Sequence, residues 1–152
     1  MATDDRIRAY LAEQRRRIAE HGWVVQGVFG TDEHPSPLFA YTVGLVGSGH
    51  PELIVYGLPL EVASSILNDL AEHVAAGGRL HAGDRLTRDE SDYGMVLVAV
   101  DDTAPLGLAR GVYGPEVRAL QLVYPDDEHR MPWDDGCDPY VASLPLLGRR
   151  EA

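Results

Sequence analysis

Residues 53–78, LIVYGLPLEVASSILNDLAEHVAAGG, carry the reading on which the fold turns. Residues 53–56 form a short unbroken apolar run, the pattern of a central strand covered on both faces. Pro59 then opens a helix, where proline is tolerated because the first N–H groups have no helical partner. Ala63, Ile66, Leu67, Leu70 and Val74 recur at steps of three and four, the stripe of a core-facing helix. Gly77 and Gly78 end it.

The flanking segments decide what kind of sheet this strand joins. Upstream, residues 4–21 read as an amphipathic helix with Ile7, Tyr10, Leu11 and Ile18 at helical spacing, stopped by Gly22. Residues 23–29 then read as a strand with Trp23, Val25 and Phe29 on one face. GTDEHPSP (30–37), which contains His34, reads as a loop. Residues 38–45 form a second strand, and GLVGSGHP (44–51) a glycine-rich loop. Downstream, residues 80–86 suggest an edge strand, YGMVLVAV (93–100) a central strand, and VRALQLVY (117–124) the last clear strand. Residues 104–114 suit either a short helix or a loop, and from Pro125 onward the chain reads as irregular. Helix, strands, helix, strands does not alternate as a doubly wound chain does. The expected fold is α+β: a single mostly antiparallel or mixed sheet of five to six strands, with two main helices packed on one face.

A length of 152 residues suits one domain. A chain of this size buries roughly 68–70% of its unfolded surface and needs no disulfide or metal staple. Cys137 is the lone cysteine, which suits a reducing compartment. MATDDRIRAY (1–10) lacks the apolar run of a signal peptide, and no apolar stretch approaches the ~20 residues of a membrane helix. The expectation is a cytoplasmic protein. A net charge of −11 is the wrong sign for binding nucleic acid or an anionic membrane. All 13 basic residues are arginine, so Schiff-base chemistry, a phosphate-loop lysine and pyridoxal attachment are excluded.

Other chemistries are missing by pattern. The glycines of 44–49 run G-x-x-G-x-G into His50-Pro51 and a strand, not G-x-G-x-x-G into a helix that would receive a pyrophosphate. There is no G-x-S-x-G elbow, H-E-x-x-H pair or paired C-x-x-C. The acid-rich PDDEHRMPWDDGCD (125–138) does not keep the alternation of a calcium loop. No metal site and no cofactor is therefore expected. Cys137, with His129 the sole nearby imidazole, reads more simply as a small hydrophobe than as a nucleophile. The arginine run 15–17 reads as a solvated face.

What remains is a set of polar and aromatic residues beside strand ends. Thr42 and Gln121 sit on apolar strand faces, where an unpaired polar group costs about 1–3 kcal/mol. They either find partners internally or line a pocket. His50 and Glu52, two apart, share a face if both lie in a strand, and a carboxylate beside an imidazole prepares a general base. A turn histidine and a solvated glutamate are the plainer reading. Tyr41 precedes Thr42, and Tyr124, Asp126 and Trp133 stand among prolines and acids after the last strand.

The blocks FAYTVGL (39–45), HPELIVYGLP (50–59), ILNDLAEHV (66–74) and ALQLVYPDDEHRMPWDDG (119–136) resemble a bacterial family known as domain of unknown function 4262. The resemblance spans about residues 20–136, leaving an irregular C-terminal tail at 137–152. It implies a small stand-alone domain and brings no activity, cofactor or catalytic residue. The favoured expectation is a non-catalytic module binding a small molecule or protein through Tyr41, Thr42, Gln121, Tyr124 and Trp133. The alternative is a cofactor-independent acid–base enzyme, with His50 as base and Glu52 or Asp126 orienting it. Whether it is an enzyme, and its oligomeric state, are left open.

Overall fold

In a computed structural model, residues 2–33, 35–88 and 91–148 of the chain are described. His34 and the last four residues of the expected tail lie outside them. The element order is α1 (Ala2–His21), β1 (Val24–Val28), β2 (Phe39–Val43), β3 (Glu52–Tyr56), α2 (Leu60–Ala75), β4 (Arg85–Arg88), β5 (Ser91–Ala99), α3 (Gly107–Tyr113), β6 (Ala119–Val123) and α4 (Pro139–Ala142). The strands form one sheet in the order β1-β2-β3-β6-β5-β4. The β3–β6 pair at its centre is parallel and the other pairs are antiparallel. This is the expected α+β class, with a mixed, mostly antiparallel sheet.

The apolar run that opened the reading is the central strand β3, buried at every position. Its alternate residues divide between two cores, because successive side chains leave a strand on opposite faces. Leu53 and Val55 join Ala40, Leu97, Leu120 and Leu122 beneath the α2 stripe of Ala63, Leu67, Ala71 and Val74. Ile54 and Tyr56 join Phe39, Tyr41 and Val43 on the other face, under α3 and the Leu11 and Ile18 side chains of α1. The two main helices therefore divide between the faces instead of sharing one. The sequence pattern shows that a helix has an apolar stripe, and says nothing of which face receives it.

Three local differences have physical causes. Ile7 and Tyr10, part of the expected α1 stripe, are exposed, as is Phe29. The stripe narrows to Leu11 and Ile18 because α1 meets the body of the protein chiefly along β1 and α3. The glycine-rich loop contains a 3-10 turn, Leu45–Ser48. Gly44 before it has φ 136, and a Cβ there would meet the backbone of Gly22 and Trp23, so only glycine fits. The tail is not wholly irregular: Asp138 caps the single turn α4 by accepting from the Tyr140 N–H at 2.9 Å.

Among the described residues no helix is long and apolar enough to cross a membrane.

Leu67 is fully buried under α2, whereas Val62 on the same helix is 45% exposed. Leu67→Ala should lower unfolding stability by about 2–5 kcal/mol through transfer and cavity terms. Val62→Ala should stay within about 0.5 kcal/mol. Urea titration followed by circular dichroism compares them, and equal losses would contradict this assignment of the α2 faces.

Candidate functional site

Most of the residues singled out from the sequence fall at two ends of the β3–β6 pair, with Tyr41 and Gln121 level with Ile54 between them. In its parallel register Glu52 stands beside Ala119 and Val55 beside Leu122. His50, Glu52 and Thr42 therefore lie where these two strands begin. Tyr124, Asp126 and Trp133 follow the end of β6. The structure does not bring His50 and Asp126 together.

At the first end the β2–β3 ladder parts beyond Tyr41 and Ile54, and side chains take over. The Thr42 hydroxyl accepts the Leu53 N–H at 2.9 Å and donates to Glu52 Oε1 at 2.8 Å. The Glu52 carboxylate also receives the N–H groups of Gly44 (2.9 Å), Leu45 (3.1 Å) and Val46 (3.2 Å). Glu52 thus sits, with no solvent exposure, in a nest of amides at the start of the 3-10 turn. Removal from water pushes its carboxyl above the ordinary range. The bonds from Gly44, Thr42, Val46 and Leu45 pull the other way. Every partner is a donor, the complement of an ionised carboxylate.

His50 does not meet that carboxylate. Its Nε2 accepts the Leu80 N–H at 3.0 Å, which places the ring proton on Nδ1, 2.8 Å from the Pro51 carbonyl. With both nitrogens engaged and 2% exposure, the ring clips the glycine-rich loop to the segment after α2. Tyr41 is also engaged: its hydroxyl accepts the Leu108 N–H at 2.9 Å, serving an α3 start that has no side-chain cap of its own. Burial pushes the Tyr41 phenol up from its usual range.

At the other end, Asp126 organises the acid-rich loop. Its Oδ1 accepts from the N–H groups of Glu128 (3.0 Å) and Arg130 (2.8 Å). Its Oδ2 accepts from the Arg130 guanidinium (3.1 Å) and the Asp138 N–H (2.9 Å). Burial alone would raise this carboxyl. The bonds from the Arg130 and Asp138 amides, the guanidinium and the Glu128 amide reverse that and hold it at about 2. Cys137 lies in the same loop, its Sγ 3.5 Å from the Arg130 carbonyl. Burial, then Asp126 and Asp138, push its thiol up, away from thiolate. Among the described residues no three His, Cys, Asp or Glu side chains gather as a metal ion would need.

Gln121 and Thr42 do not satisfy each other. The Gln121 amide donates to the Pro145 carbonyl at 2.7 Å and accepts the Leu147 N–H at 2.8 Å. Tyr124 is different: its hydroxyl is buried with no hydrogen-bond partner, and burial, then Tyr140, push the phenol up to about 12. It borders a void of about 20 Å³ also lined by Tyr56, Gln121, Pro132, Leu144 and Pro145. Trp133, next to Pro132, is half-buried.

One recess escaped the sequence reading. An open groove of about 510 Å³ runs between α1, the start of β1 and α2, with Trp23, Asn68 and the arginines 16 and 17 on its walls. The Trp23 indole N–H donates to Asn68 Oδ1 at 2.9 Å, joining residues 45 apart in the chain, which no local pattern reveals. Its arginines are engaged, Arg16 with Glu13 and Glu20 and Arg17 with Glu13.

Residues 17–138 match the model of the family described as Domain of unknown function (DUF4262), and the chain belongs to that family. No curated protein and no solved structure matches it.

Two substitutions test the carboxylate nests. Glu52→Gln turns an NH₂ group toward backbone donors and should cost about 1–3 kcal/mol for each donor left unpaired. The amides of residues 44–46 should then exchange hydrogen faster, and unchanged protection would contradict the nest.

Asp126 titrates near 3.8 when unperturbed and at about 2 in the fold. A depressed folded value gives stabilisation that is whole above the unfolded value and is lost as pH falls through the folded one. Asp126→Asn should therefore flatten the decline of Tm across that window. Parallel melting curves for the two proteins would rule the effect out.

Proposed function

We propose that this member of the DUF4262 family is a non-catalytic ligand- or partner-binding module whose contact surface lies around the end of β6. The observation that supports it is the engagement of the polar side chains an acid–base mechanism would use. Both nitrogens of His50, the carboxylates of Glu52 and Asp126, the Thr42 hydroxyl and the Gln121 amide are bonded mainly to backbone. A general base must reach the proton it removes, at about 2.6–3.2 Å or through one water. Neither His50, at 2% exposure, nor the fully buried Glu52 offers that reach.

Aromatic side chains gather at the β6 end instead. Tyr124 borders the void beside Pro132, Trp133 follows, and Tyr140 is 56% exposed while donating to the Gly57 carbonyl at 2.8 Å. Rigid aromatic side chains bury large areas at low entropic cost, which suits a contact surface.

Native and denaturing mass spectra of gently purified protein provide the test. The native spectrum should carry an additional mass that is lost on denaturation and absent from a folded Trp133→Ala variant. Retention of that mass by the variant would remove Trp133 from the surface. A bare native mass, together with no partner retained on cross-linking, would count against the module itself.

A further inference from the structure

We infer that the track holding residues 144–148 is a receptor for an extended apolar peptide segment of a partner protein, occupied here by the chain's own tail. This deepens the binding-module reading and rests on it. The tail is held as a bound peptide is held, mainly by its backbone. The Gln121 amide bonds the Pro145 carbonyl and the Leu147 N–H, an acceptor and a donor two residues apart, as a neighbouring strand would. The Leu147 carbonyl accepts the N–H groups of Asp101 at 2.8 Å and Asp102 at 3.3 Å, and Gly148 forms an isolated antiparallel bridge with Val100. Backbone pairing of this kind gives affinity without demanding one sequence.

Three further observations favour exchange of the occupant. Of residues 139–148 only Val141 is buried, and Leu144 and Leu147 rest against the core while still partly exposed, an incomplete seat for the tail's apolar side chains. Its packing is incomplete, since a void is left between Tyr124, Leu144 and Pro145, and the buried Tyr124 hydroxyl lacks a hydrogen-bond partner, which a better-fitting occupant could supply. The family match ends at residue 138, so the track's floor at Gln121 and Tyr124 belongs to the matched region and its occupant does not.

The chemistry of the partner follows from the two ends of the track. Leu144, Pro145, Leu146 and Leu147 supply an apolar, proline-containing run, and the sequence continues with Arg149 and Arg150. The track ends at the exposed residues Asp101 and Asp102 on a chain of net charge −11, so a cationic residue after the apolar run is complementary.

Gly148 supplies the means of testing this in the full chain, because a Cβ there would run into the Ala99 carbonyl oxygen. Gly148→Val should therefore unseat the tail and leave the track open. The probe is a fluorescent peptide with the sequence of residues 143–150, followed by anisotropy. An occupied site lowers apparent affinity by the fraction of open molecules, so G148V should bind at least about tenfold more tightly than the wild type. Adding Gln121→Ala should abolish that gain.

Equal uptake by all three proteins, with G148V folded by circular dichroism, would overturn the inference. Should G148V fail to fold, Tyr140→Phe removes only the bond to Gly57 at an exposed position. It should raise uptake about threefold by the same competition, and no gain would again overturn the proposal. A wild-type dimer that the peptide dissolves would overturn it in favour of a second copy's tail. A Trp133-dependent mass in the native spectrum without any gain in peptide uptake would discard the track and leave the module standing.

Discussion

The carboxylate of Glu52 fixes the place where the central strands begin. A carboxylate taken out of water is costly unless donors surround it, and here the donors are amides that only one loop path delivers. The chain leaves β2, turns through Gly44 into the 3-10 turn, and returns so that three successive N–H groups face the first residue of β3. Thr42 ties this arrangement to the ladder by serving both Leu53 and Glu52. His50 then joins the same loop to Leu80, beyond α2. Register and turn meet at Glu52, and His50 ties the helix exit to the same loop.

Asp126 does the corresponding work at the other end of β6. The two carboxyls show how one kind of contact leads to opposite balances. Burial prevails at Glu52, which receives three backbone amides and a hydroxyl. At Asp126 the amides and the Arg130 guanidinium prevail. Glu52 is the more deeply buried of the two, with no exposure against 8% at Asp126, and Asp126 has the Arg130 guanidinium besides its amides. Each acid closes a loop that apolar packing alone would leave without a defined path.

Much of the fold was legible because burial imposes periodicity. The α2 stripe, the unbroken run of β3 and the non-alternating element order each have a direct counterpart in the structure. The division of α1 and α2 between opposite faces was not legible, since a stripe carries no label for its target. The site shows a sharper limit. Thr42, His50, Glu52, Gln121 and Asp126 were recognisable as polar residues in unusual places, but their partners are mostly backbone N–H and C=O groups. Every residue other than proline carries both, so no side-chain pattern distinguishes Leu80 or Pro145 as a partner.

That limit bears on how polar residues at strand ends are read for function. A histidine two positions from a glutamate has the composition of a catalytic pair, and the parallel start of β3 and β6 places both near one another. Their side chains nevertheless face different demands: Glu52 completes the turn that precedes it, and His50 reaches the segment that follows α2. A central parallel pair makes such demands because its ends cannot be closed by a hairpin. The chain must arrive and leave through longer connections whose exposed amides and carbonyls need partners. Polar side chains concentrated there answer first to the backbone. Among the described residues, the buried side-chain polar group left without a hydrogen-bond partner is the Tyr124 hydroxyl, at the β6 end.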